Sequence, residues 1–140
     1  MKKYILIICL LLISANIVKA DDEAFYRALQ GCTQYSSEGQ SKTEGSSVMF
    51  HSQILGWQND KCVYKEKVSF SGINSCTTCR LSQKQIDELV NVMRSYSTVR
   101  KYSGEEPDIS KIENVQNNPV VKVWNKYLTD SSVCTIELSK

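Results

Sequence analysis

The sequence predicts an α+β fold: an antiparallel meander sheet of about four strands with a packed amphipathic helix, stapled by disulfides. Three observations predict it. Residues 62–70, CVYKEKVSF, alternate apolar and polar side chains with one exception, the period of a half-buried strand. From Ser82 onward a capping box is followed by apolar residues at helical spacing. The chain also carries five cysteines behind what reads as an export signal, which makes disulfides the expected state.

That signal is residues 1–20, MKKYILIICLLLISANIVKA. Lys2 and Lys3 precede an apolar run over 4–13, and Val18-Lys19-Ala20 suits an export peptidase, so cleavage is expected after Ala20. The run is half the roughly 20 residues a spanning helix needs, and no second one follows, so no membrane span is expected in the mature chain. Cys9 has no small residues ahead of it, which argues against a lipoprotein site. The expectation is an exported, soluble single domain over 21–140, periplasmic or secreted.

Losing the signal changes the charge. The chain has 17 basic and 15 acidic residues; Lys2, Lys3 and Lys19 leave with the signal, and the remaining 14 against 15 give a net charge of −1. A near-neutral domain has no electrostatic footprint for nucleic acid or anionic membrane.

The elements follow in order. Residues 24–30 (AFYRALQ) read as a short helix ended by Gly31. Residues 35–47 are rich in Ser, Gly and Glu and read as a flexible loop. Residues 48–57 read as a strand, 58–60 as a turn, and 62–70 as the clearest strand, with Cys62, Tyr64, Glu66, Val68 and Phe70 on its core face. After a turn over 71–74, residues 75–81 return as a third strand. Ser82 and Gln85 form the capping box, Leu81 can staple on Ile86, and Ile86, Leu89, Val90, Met93 and Tyr96 make a core stripe. Residues 103–118 are polar and loop-like, with a turn of helix near Ile109 and Ile112. Asn118-Pro119 opens a helix whose apolar face is Val120, Val123, Trp124, Tyr127 and Leu128. Residues 133–138 form a final strand with Cys134, Ile136 and Leu138 on one side.

Five cysteines remain after Cys9 is lost, so one is odd. Cys62 and Cys79 point to the core face of adjacent strands, whereas Cys76, three residues from Cys79, points to the other face. The expected pairs are Cys62–Cys79 across the hairpin and Cys32–Cys134 tying the first helix to the last strand. Cys76 is then the free thiol, although it could displace Cys79. The competing reading takes Cys76-Thr77-Thr78-Cys79 as a redox pair of a thiol/disulfide protein. It suffers because the helix starts only at Ser82, so its dipole does not act on either sulfur. Metal is disfavoured too, since His51 is the single histidine and there is no second Cys-x-x-Cys. No cofactor is expected.

Catalytic patterns are missing: there is no Gly-x-Ser-x-Gly, phosphate-cradling glycine loop or His-Glu-x-x-His. His51 is expected on a strand surface. Glu66 breaks an apolar face; the expected reading is a strand-edge carboxylate reaching water or a lysine, the alternative a buried carboxyl with a raised pKa. The run Glu105-Glu106-Pro107-Asp108 lacks calcium-loop spacing. Trp57, Tyr64, Trp124 and Tyr127 could line a binding face but suit core and hairpin packing better.

Four segments carry a resemblance: Gly31-Cys32-Thr33-Gln34-Tyr35-Ser36; Ile54-Leu55-Gly56-Trp57-Gln58-Asn59-Asp60-Lys61-Cys62; Cys79-Arg80-Leu81; and Lys126-Tyr127-Leu128-Thr129-Asp130-Ser131-Ser132-Val133-Cys134. In these the chain resembles a group of small exported bacterial proteins of unknown function. The resemblance implies four framework cysteines, Cys32, Cys62, Cys79 and Cys134, with Cys76 as an extra. It implies no activity. The expected function is a non-enzymatic exported module that binds a protein or envelope component, with a thiol protein acting through Cys76 and Cys79 as the alternative.

Overall fold

A computed structural model describes residues 22–43, 46–103 and 116–140. The export signal, the 105–108 acidic run and the turn expected near Ile109 and Ile112 lie outside these described residues. Among them the elements run α1 (Asp22–Gly31), β1 (Tyr35–Thr43), β2 (Ser46–Gln58), β3 (Lys61–Phe70), β4 (Ile73–Leu81), α2 (Gln83–Ser103), α3 (Pro119–Leu128) and β5 (Cys134–Ser139). The strands form one antiparallel sheet in the order β1-β2-β3-β4-β5, so the fold is an α+β meander with one strand more than expected.

The extra strand is β1, in a stretch whose composition reads as a loop. Composition loses here to tertiary pairing. Tyr35 to Thr43 lie in continuous register along β2, from Tyr35 opposite Ile54 to Thr43 opposite Ser46. An edge strand needs few apolar side chains of its own. Gly39 stands opposite Phe50, whose ring occupies the space where a Cβ on residue 39 would be. The missing side chain is therefore replaced by the neighbour's aromatic ring.

The hairpins are set by two-residue turns. Asn59 and Asp60 (φ 50° and 62°) join β2 to β3, and Ser71 and Gly72 (φ 48° and 77°) join β3 to β4. Positive φ at both central positions matches the twist of the flanking strands. A bulge between Ile54 and Gly56, with Gly56 at φ 97°, shifts the β2–β3 register.

The helices start where local chemistry says they should. Ser82 N–H donates to Gln85 Oε1 at 2.8 Å, and Gln85 N–H donates back to Ser82 Oγ at 3.3 Å. Leu81 and Ile86, the staple pair, are both fully buried. Asn118 caps α3, its Oδ1 accepting from the N–H groups of Val120 and Val121 ahead of Pro119. The end of α1 departs from expectation. Gly31 stays helical, and Cys32 takes the left-handed position at φ 48°. Thr33 N–H reaches Ala28 O at 2.9 Å and Cys32 N–H reaches Leu29 O at 3.1 Å, the Schellman pattern. A non-glycine residue held at positive φ is costly unless its surroundings fix it, and here its sulfur is bonded to the sheet.

The core lies between one face of the sheet and the three helices. Tyr26 and Leu29 from α1, Ile86, Leu89, Val90 and Met93 from α2, and Val120, Trp124, Tyr127 and Leu128 from α3 meet Ile54, Tyr64, Leu81 and the disulfide cysteines. Polar contacts fasten the layer. Tyr26 Oη lies 3.1 Å from Ser97 Oγ, and Arg94 donates to Glu23 at 2.9 Å. Tyr127 and Lys126 both donate to Glu88.

The four framework cysteines are the expected ones, but their pairing is not. The bonds are Cys32–Cys62 and Cys79–Cys134, in place of Cys62–Cys79 and Cys32–Cys134. Register is the reason. The Ser71-Gly72 turn places Cys62 opposite Leu81 and Tyr64 opposite Cys79, so Cys62 and Cys79 are diagonal neighbours on one face. β5 then brings Cys134 directly opposite Cys79, with Cα atoms 4.1 Å apart, and the end of α1 brings Cys32 to within 5.8 Å of Cys62.

Candidate functional site

Strand alternation divides the sheet into two surfaces, and each carries one feature that packing does not explain. The first is the outward face. Lys61, Lys65 and Lys67 lie an even number of residues apart on the central strand β3, with Val63 between the first two, so all three project to the side away from the helices. Arg80 joins them from β4, opposite Val63. Among the described residues none of the three lysines forms an ion pair, and Arg80 makes one 3.5 Å contact to Gln58 O. The overall charge hides this stripe because acids elsewhere cancel it; the spacing of lysines two apart was the readable signal.

His51 and Cys76 flank the stripe. Register sets Glu38, His51, Lys67, Cys76 and Glu137 side by side across the sheet. His51 is half-buried, 2.9 Å from Ser36 Oγ and 3.9 Å from a solvent-exposed Glu38 carboxylate. This is the surface position expected for it. Cys76 is the free thiol, partly exposed. Cys79 is fully buried and bonded to Cys134 on the other face of β4. The structure therefore does not bring Cys76 and Cys79 together as a dithiol. No group of three or more metal-ligating side chains occurs among the described residues.

The second feature is Glu66, on the core face. It is 4 % exposed, and so takes the alternative reading: it is neither at a strand edge nor paired with a lysine. Ser52 on β2 and Thr77 on β4 stand on either side of it. Tyr64, two residues back on the same face, donates its hydroxyl to Glu66 Oε2 at 2.6 Å. Burial pushes the Glu66 carboxyl from 4.5 up to about 7, against the opposing pull of the Tyr64 hydrogen bond. Burial first, and then the Glu66 charge, hold the Tyr64 phenol well above its ordinary value. The Tyr64 ring is in turn packed by Trp124, centroids 5.5 Å apart, and by Phe25 at 6.1 Å. Trp124 Nε1 is buried without an acceptor among the described residues.

Of the aromatic candidates, Tyr64, Trp124 and Tyr127 are core, whereas Trp57 is 45 % exposed beyond the bulge. Glu88, on the helical side, has its carboxyl lowered by the Tyr127 and Lys126 hydrogen bonds. The Tyr127 phenol is pushed up to about 12 by burial and by that same carboxylate. This contact joins α2 to α3 at the surface and is a structural tie.

These features define a class: a disulfide-stapled α+β domain with helices on one face of a five-stranded sheet and a polar, basic stripe on the other. No family model matches the chain, and neither a curated protein nor a solved structure matches it.

Proposed function

We propose that this chain is an exported, non-enzymatic binding module that engages an acidic protein or envelope component through the outward face of its sheet. The observation that carries this reading is the run Lys61, Lys65 and Lys67 with Arg80, displayed on long strands and left without ion pairs among the described residues. Cations spaced along a rigid strand steer an acidic partner and fix its register. Two structural disulfides accord with an oxidising destination, and among the described residues no helix is long and apolar enough to cross a membrane.

The test places a photo-crosslinking residue at Thr78, beside Lys65 on the outward face, or at Lys122 on the helical side. The full chain is expressed in an exporting bacterial host. Adducts from Thr78 that disappear in Lys65→Glu/Lys67→Glu, with none from Lys122, are the expected result. Adducts that ignore the charge reversal, or that form equally from both sides, overturn it.

A further inference from the structure

Glu66 sits at a boundary. On the core face, the cluster that includes all three helices reaches Ile54, Tyr64, Cys79 and Cys134 and stops there. The next row outward is polar over its first four strands, Ser37, Ser52, Glu66 and Thr77, and ends at Ile136 on β5. Beyond it, toward the Ser71-Gly72 turn, Val48 and Val68 are buried outside that cluster, while Ile73 and Leu138 are 38 % and 45 % exposed. Glu66 is 4 % exposed and its carboxyl accepts from the Tyr64 hydroxyl, so it does not reach water from its place on this face.

We propose that Glu66 is a proton-operated lock: its protonated carboxyl seats the distal half of the sheet, and loss of that proton loosens β2, β3 and β4 beyond the polar row. The neighbours of Glu66 decide this. Glu66 is faced by Ser52 from β2, by Thr77 from β4, and by Tyr64 and Val68 along its own strand. The rings on Tyr64 come from Trp124 of α3 and Phe25 of α1. Among these described neighbours Tyr64 alone titrates, and none is cationic. A carboxylate formed here gains one phenol hydrogen bond and loses its water, which is a poor exchange.

The sign follows. The carboxyl holds its proton more tightly in the folded chain than in the unfolded one, about 7 against 4.5. Its contribution is fully present below about pH 4.5, is lost as pH rises through about 7, and is constant beyond. The folding constant should fall between pH 5 and pH 8 by roughly tenfold to a hundredfold on this account.

The experiment is urea unfolding of the disulfide-intact protein from pH 5 to 8.5, in a His51→Gln background that removes the single histidine. The expected result is a falling stability that Glu66→Gln flattens. Carboxyl carbon NMR of the wild-type chain gives a readout that does not depend on a variant folding: one glutamate should titrate near neutrality, and its resonance should shift in Tyr64→Phe. Amide exchange at Val68 and Thr77 should quicken above neutrality relative to Glu66→Gln, with Leu81 unmoved. A slope that persists in Glu66→Gln, no glutamate titrating near neutrality, or exchange that quickens equally at Leu81 would each overturn the proposal.

Discussion

The two halves of the core face are built on different principles. In the half under the helices, Leu81, Ile86 and Val90 are fully buried, Cys32–Cys62 ties the end of α1 to the sheet, and Cys79–Cys134 ties β4 to β5. In the half near the Ser71-Gly72 turn, Val48 and Val68 are buried outside the helix-covered cluster, no disulfide ties the described residues, and Ile73 and Leu138 face solvent. The row through Glu66 separates them. Covalent and apolar density coincide at one end, so stability is not spread evenly and opening should begin at the other.

The hardest blow to this contrast is to remove a staple from the dense half. The Cys79–Cys134 bond closes 55 residues and Cys32–Cys62 closes 30. The chain-entropy account assigns each about 4 kcal/mol, and removing a native disulfide from a small domain costs 2–5 kcal/mol as a rule of thumb. Cys79→Ala/Cys134→Ala should therefore lower the urea midpoint sharply, since β5 then loses its covalent tie to β4. A midpoint change worth less than about 1 kcal/mol would show that the helical half does not need its staple.

Next comes Leu81→Ala. Leu81 ends β4, staples α2 through Ile86 and is fully buried, so truncation leaves a cavity that helix and strand cannot both close. The expected cost is about 3 kcal/mol, read by chemical denaturation. Asn118→Ala ranks third. It removes the acceptor for the Val120 N–H at 2.9 Å and should cost about 1 kcal/mol, without altering the pH dependence ascribed to Glu66.

What the sequence revealed of this follows the range of the forces involved. The capping box at Ser82 and Gln85 and the cap at Asn118 are contacts within one helical turn, and both were legible. The inward face of β3 was legible because alternation needs no partner. β1 was not, because Ser37 and Gly39 become strand residues only when β2 supplies the ladder and Phe50 supplies the ring. The four bonded cysteines could be picked out, but their pairing depends on a two-residue turn and on where β5 docks, which are long-range facts. Glu66 announced itself by breaking an apolar alternation. Its burial depends on what packs over that face, which alternation does not report. The lysine stripe was visible as spacing and was averaged away by counting charge.

The smallest expected effect is also the sharpest comparison. Leu138 lies on the same face as Cys134, two rows beyond it, opposite Ser75 on β4. It is 45 % exposed on the edge strand, so truncation returns little apolar surface to water and leaves no closed cavity. Leu138→Ala should cost about 0.5 kcal/mol, against about 3 for the same substitution at Leu81. Both are strand leucines cut back to the same residue, so intrinsic propensity cancels and the difference measures packing. Equal costs at the two positions would mean that the distal half is as tightly seated as the stapled one, and Glu66 would then have no loose region to control.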